Sequence, residues 1–504
     1  MNSYLISLAI AVPFFGALVQ FGSLSLKNAP PVISISKWIS IFASLLSSGV
    51  MLFLITSMNP IDIQPQFVEV FPWIDTYAIK YEVGLDGLST PIVLLLSIVF
   101  PVLIAAEWGR KPGGRGVHGI LLLLQGALLG TILSYDLFLT AFFWGLSILP
   151  AAFLVGIWGQ KEGREAAAIK LIVTGAVSSA FFIAALLIVY FANDPHSFSL
   201  REIMGGALEA KSFQVLGHEL SVARVCFGLL LAALALRAPI WPISGWAFSA
   251  AKSANPHAFT VYSSAVIPTV FVVFLRLTFS LFPETTAASS PILLGAGILN
   301  LLVGSMGALG ERRLVSILCQ LSIAWLGFAL IGMSSLTSPG VVGAVYSTFA
   351  FGLSLCGFGL FSGVIWNRFK QNSEDEEEVV LRGLASVAPK LSVFVVVVVA
   401  SLISFPGLIG FVSGTLVLIG SYSISPMSVM IAFIGMICLV VALFRRYRDW
   451  FLGGVPQAGF VDIGLHESIY LLPVFVSLIA FGVYPKPMID TIRPTIVALL
   501  SLVK

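Results

Sequence analysis

The sequence predicts an all-α polytopic membrane protein of about fourteen transmembrane helices, including two inverted five-helix repeats. Three observations lead there. Of 504 residues, 58% are hydrophobic and 10% charged, and the mean hydropathy is +1.01. Apolar stretches long enough to cross a bilayer, about 20 residues each, recur from one end to the other. The 27 Lys and Arg residues gather in alternate loops between those stretches. A soluble domain carries about 25% charged residues, so this composition excludes a cytosolic enzyme, a nucleic-acid binder and a disordered chain.

In chain order the spans fall near 3–24, 36–57, 86–106, 117–134, 137–158, 166–191, 221–246, 257–281, 291–309, 314–333, 340–366, 391–420, 427–444 and 467–485. The first reads as a retained span, because no Lys or Arg precedes Lys27 as a cleavable signal would require. The longer connections, 58–83, 192–220, 367–390 and 446–466, read as loops without independent cores. The chain is therefore one membrane domain over 1–504. It divides into N-terminal helices 1–3 (1–106), a first repeat (117–281), a second repeat (291–444), and a last helix with its tail (467–504).

Charge tests this count. Odd-numbered loops hold 18 basic residues, from Lys27 to Arg448, and even-numbered loops hold 4: Lys80, Arg201, Lys211 and Arg224. The positive-inside rule then places both termini outside, in a bacterial inner membrane. Only Arg237 and Arg276 lie inside spans. The acidic run Glu374–Glu378 reads as a solvated cytoplasmic tether, since adjacent carboxylates repel and stay hydrated. Cys226, Cys319, Cys356 and Cys438 sit singly in apolar runs and read as packing residues, with no metal-ligand spacing. His118, His196, His218, His257 and His466 fall in or beside loops, away from the membrane centre. Asp86 and Asp136, at span ends, read as helix N-caps rather than ion carriers.

Two spans carry breaking residues. Span 7 contains Pro239 and Pro242, and span 12 contains Pro406 and Gly407. Proline removes a backbone donor and clashes with the preceding turn, so both helices should break within the bilayer. Freed backbone is tolerated there only against protein or a water-lined cavity. With each break in the fourth helix of a five-helix unit (spans 4–8 and 9–13), the pattern points to an inverted repeat; two unrelated proline kinks is the competing reading.

Several motifs carry a resemblance. Val83-Gly84-Leu85-Asp86-Gly87-Leu88-Ser89, Tyr135-Asp136-Leu137-Phe138, Pro406-Gly407 with Gly410-Phe411-Val412, Asp462-Ile463-Gly464-Leu465-His466-Glu467-Ser468 and Gly482-Val483-Tyr484-Pro485 follow in one order. The set resembles the M-subunit family of respiratory complex I, within the wider group of Mrp-type cation/proton antiporter and membrane-hydrogenase subunits. The resemblance implies fourteen helices and a proton-translocating module of the membrane arm. NADH, flavin, iron–sulfur clusters and quinone would then sit on partner subunits, and this chain would hold no cofactor, metal or catalytic residue of its own.

The resemblance also implies a relay: Glu on helix 5, Lys on helices 7 and 8, His on helix 10, and Lys or Glu on helix 12. Here those positions read Gly145, Arg237, Pro268, Trp325 and Gly414. Four cannot titrate, and the arginine stays protonated in proteins. A buried charge in lipid costs at least about 2.5–3.5 kcal/mol and is kept for a use; replacement by Gly, Pro and Trp is what loss of that use leaves.

The leading expectation is therefore an antiporter-like subunit of a complex I-type NADH:quinone oxidoreductase, its channel degenerate and its role largely structural. Its partners would be other membrane-arm subunits and lipid. The alternatives are a cation/proton antiporter or membrane-hydrogenase subunit, or a stand-alone secondary transporter. Arg237 keeps two readings: a fixed positive charge with a function, or a side chain satisfied by carbonyls freed at Pro239.

Overall fold

The computed structural model describes residues 4–24, 30–108, 115–159, 162–205, 207–215, 218–369, 381–452 and 460–503. The acidic run 374–378 and the basic residues Lys27, Arg110, Lys111, Lys161, Lys370 and Lys504 lie outside them.

The N-terminal group is α1 (Leu5–Leu24), α2 (Pro30–Ser57), strands β1 (Gln66–Ile74) and β2 (Ile79–Leu85), and α3 (Ser89–Ala106). The predicted loop 58–83 is largely an antiparallel hairpin, pairing Val70 with Glu82 and Ile74 with Ile79. Its strands are rich in Val, Ile, Phe, Trp and Tyr, which favour a pleated surface. Buried Glu69 of β1 accepts the amides of Ile6 (2.8 Å) and Ser7 (3.0 Å), satisfying otherwise orphaned donors at the start of α1.

Next come α4 (Arg115–Leu133), α5 (Leu137–Leu146), α6 (Ile148–Trp158) and α7 (Arg164–Ala192). Expected span 5 is thus two stacked pieces joined at Ser147. After the short α8 (Leu200–Ile203) and the β3–β4 ribbon (Ser212–Val215, His218–Ser221), α9 runs over Val222–Arg237. Helix resumes only at α10 (Gly245–Ser253). Then follow α11 (Pro256–Val261), a π-helical turn (Tyr262–Val266), α12 (Ile267–Leu281) and short α13 (Pro283–Ala288).

The remainder is α14 (Ser290–Gly310), α15 (Leu314–Ser334), α16 (Ser338–Phe369), short α17 (Leu384–Val387), α18 (Pro389–Leu402), α19 (Ile409–Tyr422), α20 (Pro426–Tyr447), α21 (Leu465–Val483) and α22 (Lys486–Ser501). The last was read as tail, but it forms a helix that buries Ile492, Ile496 and Leu499.

Among the described residues, 12 helical segments are long and apolar enough to cross a membrane. The chain is an all-α, multi-pass integral membrane protein. α12, α15 and α16 are buried along almost their whole length, while α7, α14, α20 and α21 leave apolar faces outward, as lipid or neighbouring subunits allow.

Candidate functional site

The site begins where α9 stops. Pro239 cannot continue the helix, and residues 238–244 run without one. Asn300, fully buried on α14, holds this segment with both ends of its amide. It donates to the Pro239 carbonyl (3.2 Å) and accepts the Trp241 amide (2.7 Å). Asn300 was invisible in the sequence, being one polar residue in an apolar run with no motif around it.

Arg237 closes α9 with 2% of its surface exposed. It does not take up the freed carbonyls, as one reading had it. Its Nη2 donates to Ser147 Oγ at 2.5 Å, at the joint between α5 and α6. Tyr262 fixes the backbone below by donating to the Arg237 carbonyl (2.6 Å). Among the described residues no carboxylate forms an ion pair with Arg237, and its Nε has no hydrogen-bond partner.

Gly145 lies two residues before Ser147. A Cβ built there would meet only Ser179 Oγ, at 3.9 Å. One turn back along α7, a Cβ on Gly175 would stand 3.1 Å from Arg237 Nη1. Two of the five positions expected from the resemblance to form a relay, Gly145 and Arg237, are thus drawn together across α7. The others meet different surroundings. Pro268 lies in α12 beside the π turn, a distortion suited to the amide it lacks. Trp325 of α15 stacks on Phe351 of α16, ring centroids 3.3 Å apart. Gly414 faces Ser404 in the bend between α18 and α19, where Gly407 takes φ +88°, open to glycine. Gly410 packs so closely that a Cβ would strike the Ser401 carbonyl.

Paired charge lies at the helix ends instead. At the hairpin end, Arg276 of α12 bonds Asp86 Oδ1 (2.8 Å) and the Ile132 carbonyl (2.7 Å), with its guanidinium 5.1 Å above the Tyr135 ring. Tyr135 donates to Asp86 Oδ2 at 2.5 Å, and the Ser89 amide to Oδ1 at 2.7 Å, so Asp86 caps α3 while neutralising Arg276. A cavity of about 720 Å³ opens above this pair, lined also by Lys80, Glu82, Arg201, Glu202 and α22. Asp136 caps α5 through the Leu139 amide (3.0 Å) and accepts the Lys80 amide (3.0 Å). Burial pushes its carboxyl up to about 6, against the pull of those amides.

At the opposite end, Glu107, just beyond α3, meets His257 Nδ1 at 2.6 Å. His257 stands at a loop edge as expected, but it and His118 are buried; one sequence does not reveal burial at a helix start. Among the described residues no group of three or more His, Cys, Asp or Glu could hold a metal ion.

Comparison with known proteins places this arrangement. Residues 134–440 match the family described as NADH:quinone oxidoreductase/Mrp antiporter, transmembrane. NADH-quinone oxidoreductase subunit M of Mycobacterium tuberculosis is 27% identical over 498 residues, covering 92% of this chain and 88% of that one. A chain of respiratory complex I from Thermus thermophilus with bound NADH superposes with TM-score 0.85 at 22% identity, over 99% of this chain and 100% of that one. A chain of the Mrp complex from Dietzia sp. DQ12-45-1b does so with TM-score 0.82 at 17% identity, over 100% and 99%. With more than half its length matched, the chain belongs to the NADH:quinone oxidoreductase/Mrp antiporter transmembrane family.

Proposed function

We propose that this chain is an antiporter-like membrane-arm subunit of a complex I-type NADH:quinone oxidoreductase, with its own proton relay lost, so that it links its neighbours structurally and conformationally. One observation carries the reading: no group that exchanges a proton near neutral pH stands at the five expected relay positions Gly145, Arg237, Pro268, Trp325 and Gly414, and aromatic packing occupies the Trp325 position. A relay needs groups that gain and lose protons near neutral pH, and an arginine does neither.

The same reading includes fourteen spans. The 12 long segments are joined by two interrupted ones, α9 with α10 and α18 with α19, broken at Pro239, Pro242, Pro406 and Gly407. The two five-helix units are inverted repeats, both termini face outward, and the membrane is a bacterial inner membrane. NADH, flavin, iron–sulfur clusters and quinone are held by partner subunits.

Purification from native membranes tests the assembly: co-isolation with hydrophilic redox subunits is expected, and a free monomer overturns it. The proton-to-electron ratio of the assembled enzyme tests the relay. Arg237→Ala is expected to leave it unchanged, and a fall shows that this chain pumps. The similarity to the Mrp chain favours a second reading, a cation/proton antiporter subunit. Sodium-driven proton movement in vesicles carrying the complex, without electron transfer, would establish it.

A further inference from the structure

We propose that Arg237 and the space beside Gly145 form a binding site for a small inorganic anion of the halide class. Arg237 brings a permanent positive charge into the apolar interior, and among the described residues no carboxylate answers it. The neighbouring polar groups add donors. Trp144 Nε1, Ser179 Oγ and Arg237 Nε are buried, and none has a hydrogen-bond partner among the described residues. Ser147 donates to the Trp144 carbonyl (2.8 Å), and Tyr262 to that of Arg237. An indole N–H, a hydroxyl and a guanidinium N–H without an acceptor are the chemistry that holds an anion.

Room exists for it. Apart from its chain neighbours Trp144 and Leu146, nothing lies nearer than 3.9 Å to the missing Cβ of Gly145, and Gly175 lets the guanidinium lie close against α7. Ser179 is one helical turn, about 5.4 Å, from Gly175, so Gly145, Ser147, Gly175, Ser179 and Arg237 form one continuous patch. The Trp144 ring is fixed by stacking on Phe182, 4.6 Å away and 10° from parallel. The anion would stand where the side chain of a longer residue at 145 would lie. The inference leans on the reading above only in equating Gly145 with the relatives' carboxylate; the donors themselves do not depend on it.

The test uses the purified full chain in lipid nanodiscs, with chloride and bromide as probes and gluconate keeping ionic strength constant. Labelled chloride is expected to bind saturably, with bromide competing. The Tm is expected to rise by about 2–4 °C from gluconate to saturating halide. Arg237→Gln should abolish both effects. Gly145→Glu should abolish halide binding by supplying the negative charge in cis, with the Tm no longer dependent on the anion. Absence of saturable binding to the unaltered chain, or binding that survives Arg237→Gln, overturns the proposal. So does a neighbouring subunit's carboxylate found on Arg237 in the assembled complex. The proton-to-electron ratio is untouched by these outcomes, so this proposal and the assigned function fail separately.

Discussion

Arg276 and Arg237 are both arginines inside helices of an apolar protein, 4% and 2% exposed, yet they are treated oppositely. Arg276 has a carboxylate, a carbonyl and an aromatic face within reach. Arg237 has one hydroxyl. The difference lies in their partners: Asp86, between β2 and α3, and Tyr135, between α4 and α5, both meet Arg276, whereas among the described residues no acid bonds Arg237.

The largest effect comes from making the two arginines alike. Asp86→Ala should cost about 3–5 kcal/mol, because Arg276 would remain buried without its counter-charge; unfolding in nanodiscs, read by heat, checks it. A loss no larger than that of a surface substitution would mean that Asp86 is not holding the charge.

Asp136 gives the mirror case, a buried carboxylate with amides but no cation bonded to it. Its folded value of about 6 exceeds the unfolded 3.8, so the native state holds the proton more tightly. Its contribution to stability is fully present below about pH 4, falls as pH rises, and is gone above about pH 6, by about 3 kcal/mol in all. Asp136→Asn should flatten that slope, keeping the α5 cap while losing the ionisation. Stability against pH for the two proteins decides it.

A smaller loss, about 2 kcal/mol, is expected for Asn300→Ala, which strands the Trp241 amide and the Pro239 carbonyl. If Arg237 rather than Asn300 satisfied that segment, the substitution would be nearly silent in the same unfolding measurement.

Much of the architecture was legible because bilayer thickness and proline chemistry act locally. Span lengths, the stop at Pro239 and the caps at Asp86 and Asp136 follow from residues near them in the chain. What the sequence hid depends on contacts across it. Asn300 meets Pro239 and Trp241 about sixty positions away, Glu107 meets His257 about one hundred and fifty away, and neither pair has a spacing rule. The hairpin was hidden for another reason: next to fourteen stronger apolar signals, a short alternating stretch looks like a connection. Arg237 stood out in the sequence, but only the structure shows that the backbone break beside it already has another partner.

The Trp325–Phe351 stack, with Phe328 edge-on to Trp325 at 5.4 Å, has an electrical consequence. A subunit that transmits without conducting still has to act as an insulator, since each charge leaking across 100 mV dissipates about 2.3 kcal/mol. The stacked ring faces offer water almost nothing to bond, which leaves the Trp325 indole N–H as the one polar group of the stack. If the relay is lost as proposed, this stack is the plug at the Trp325 position, and replacing Trp325 with a small polar residue is expected to make the membrane leaky before it makes the protein unstable.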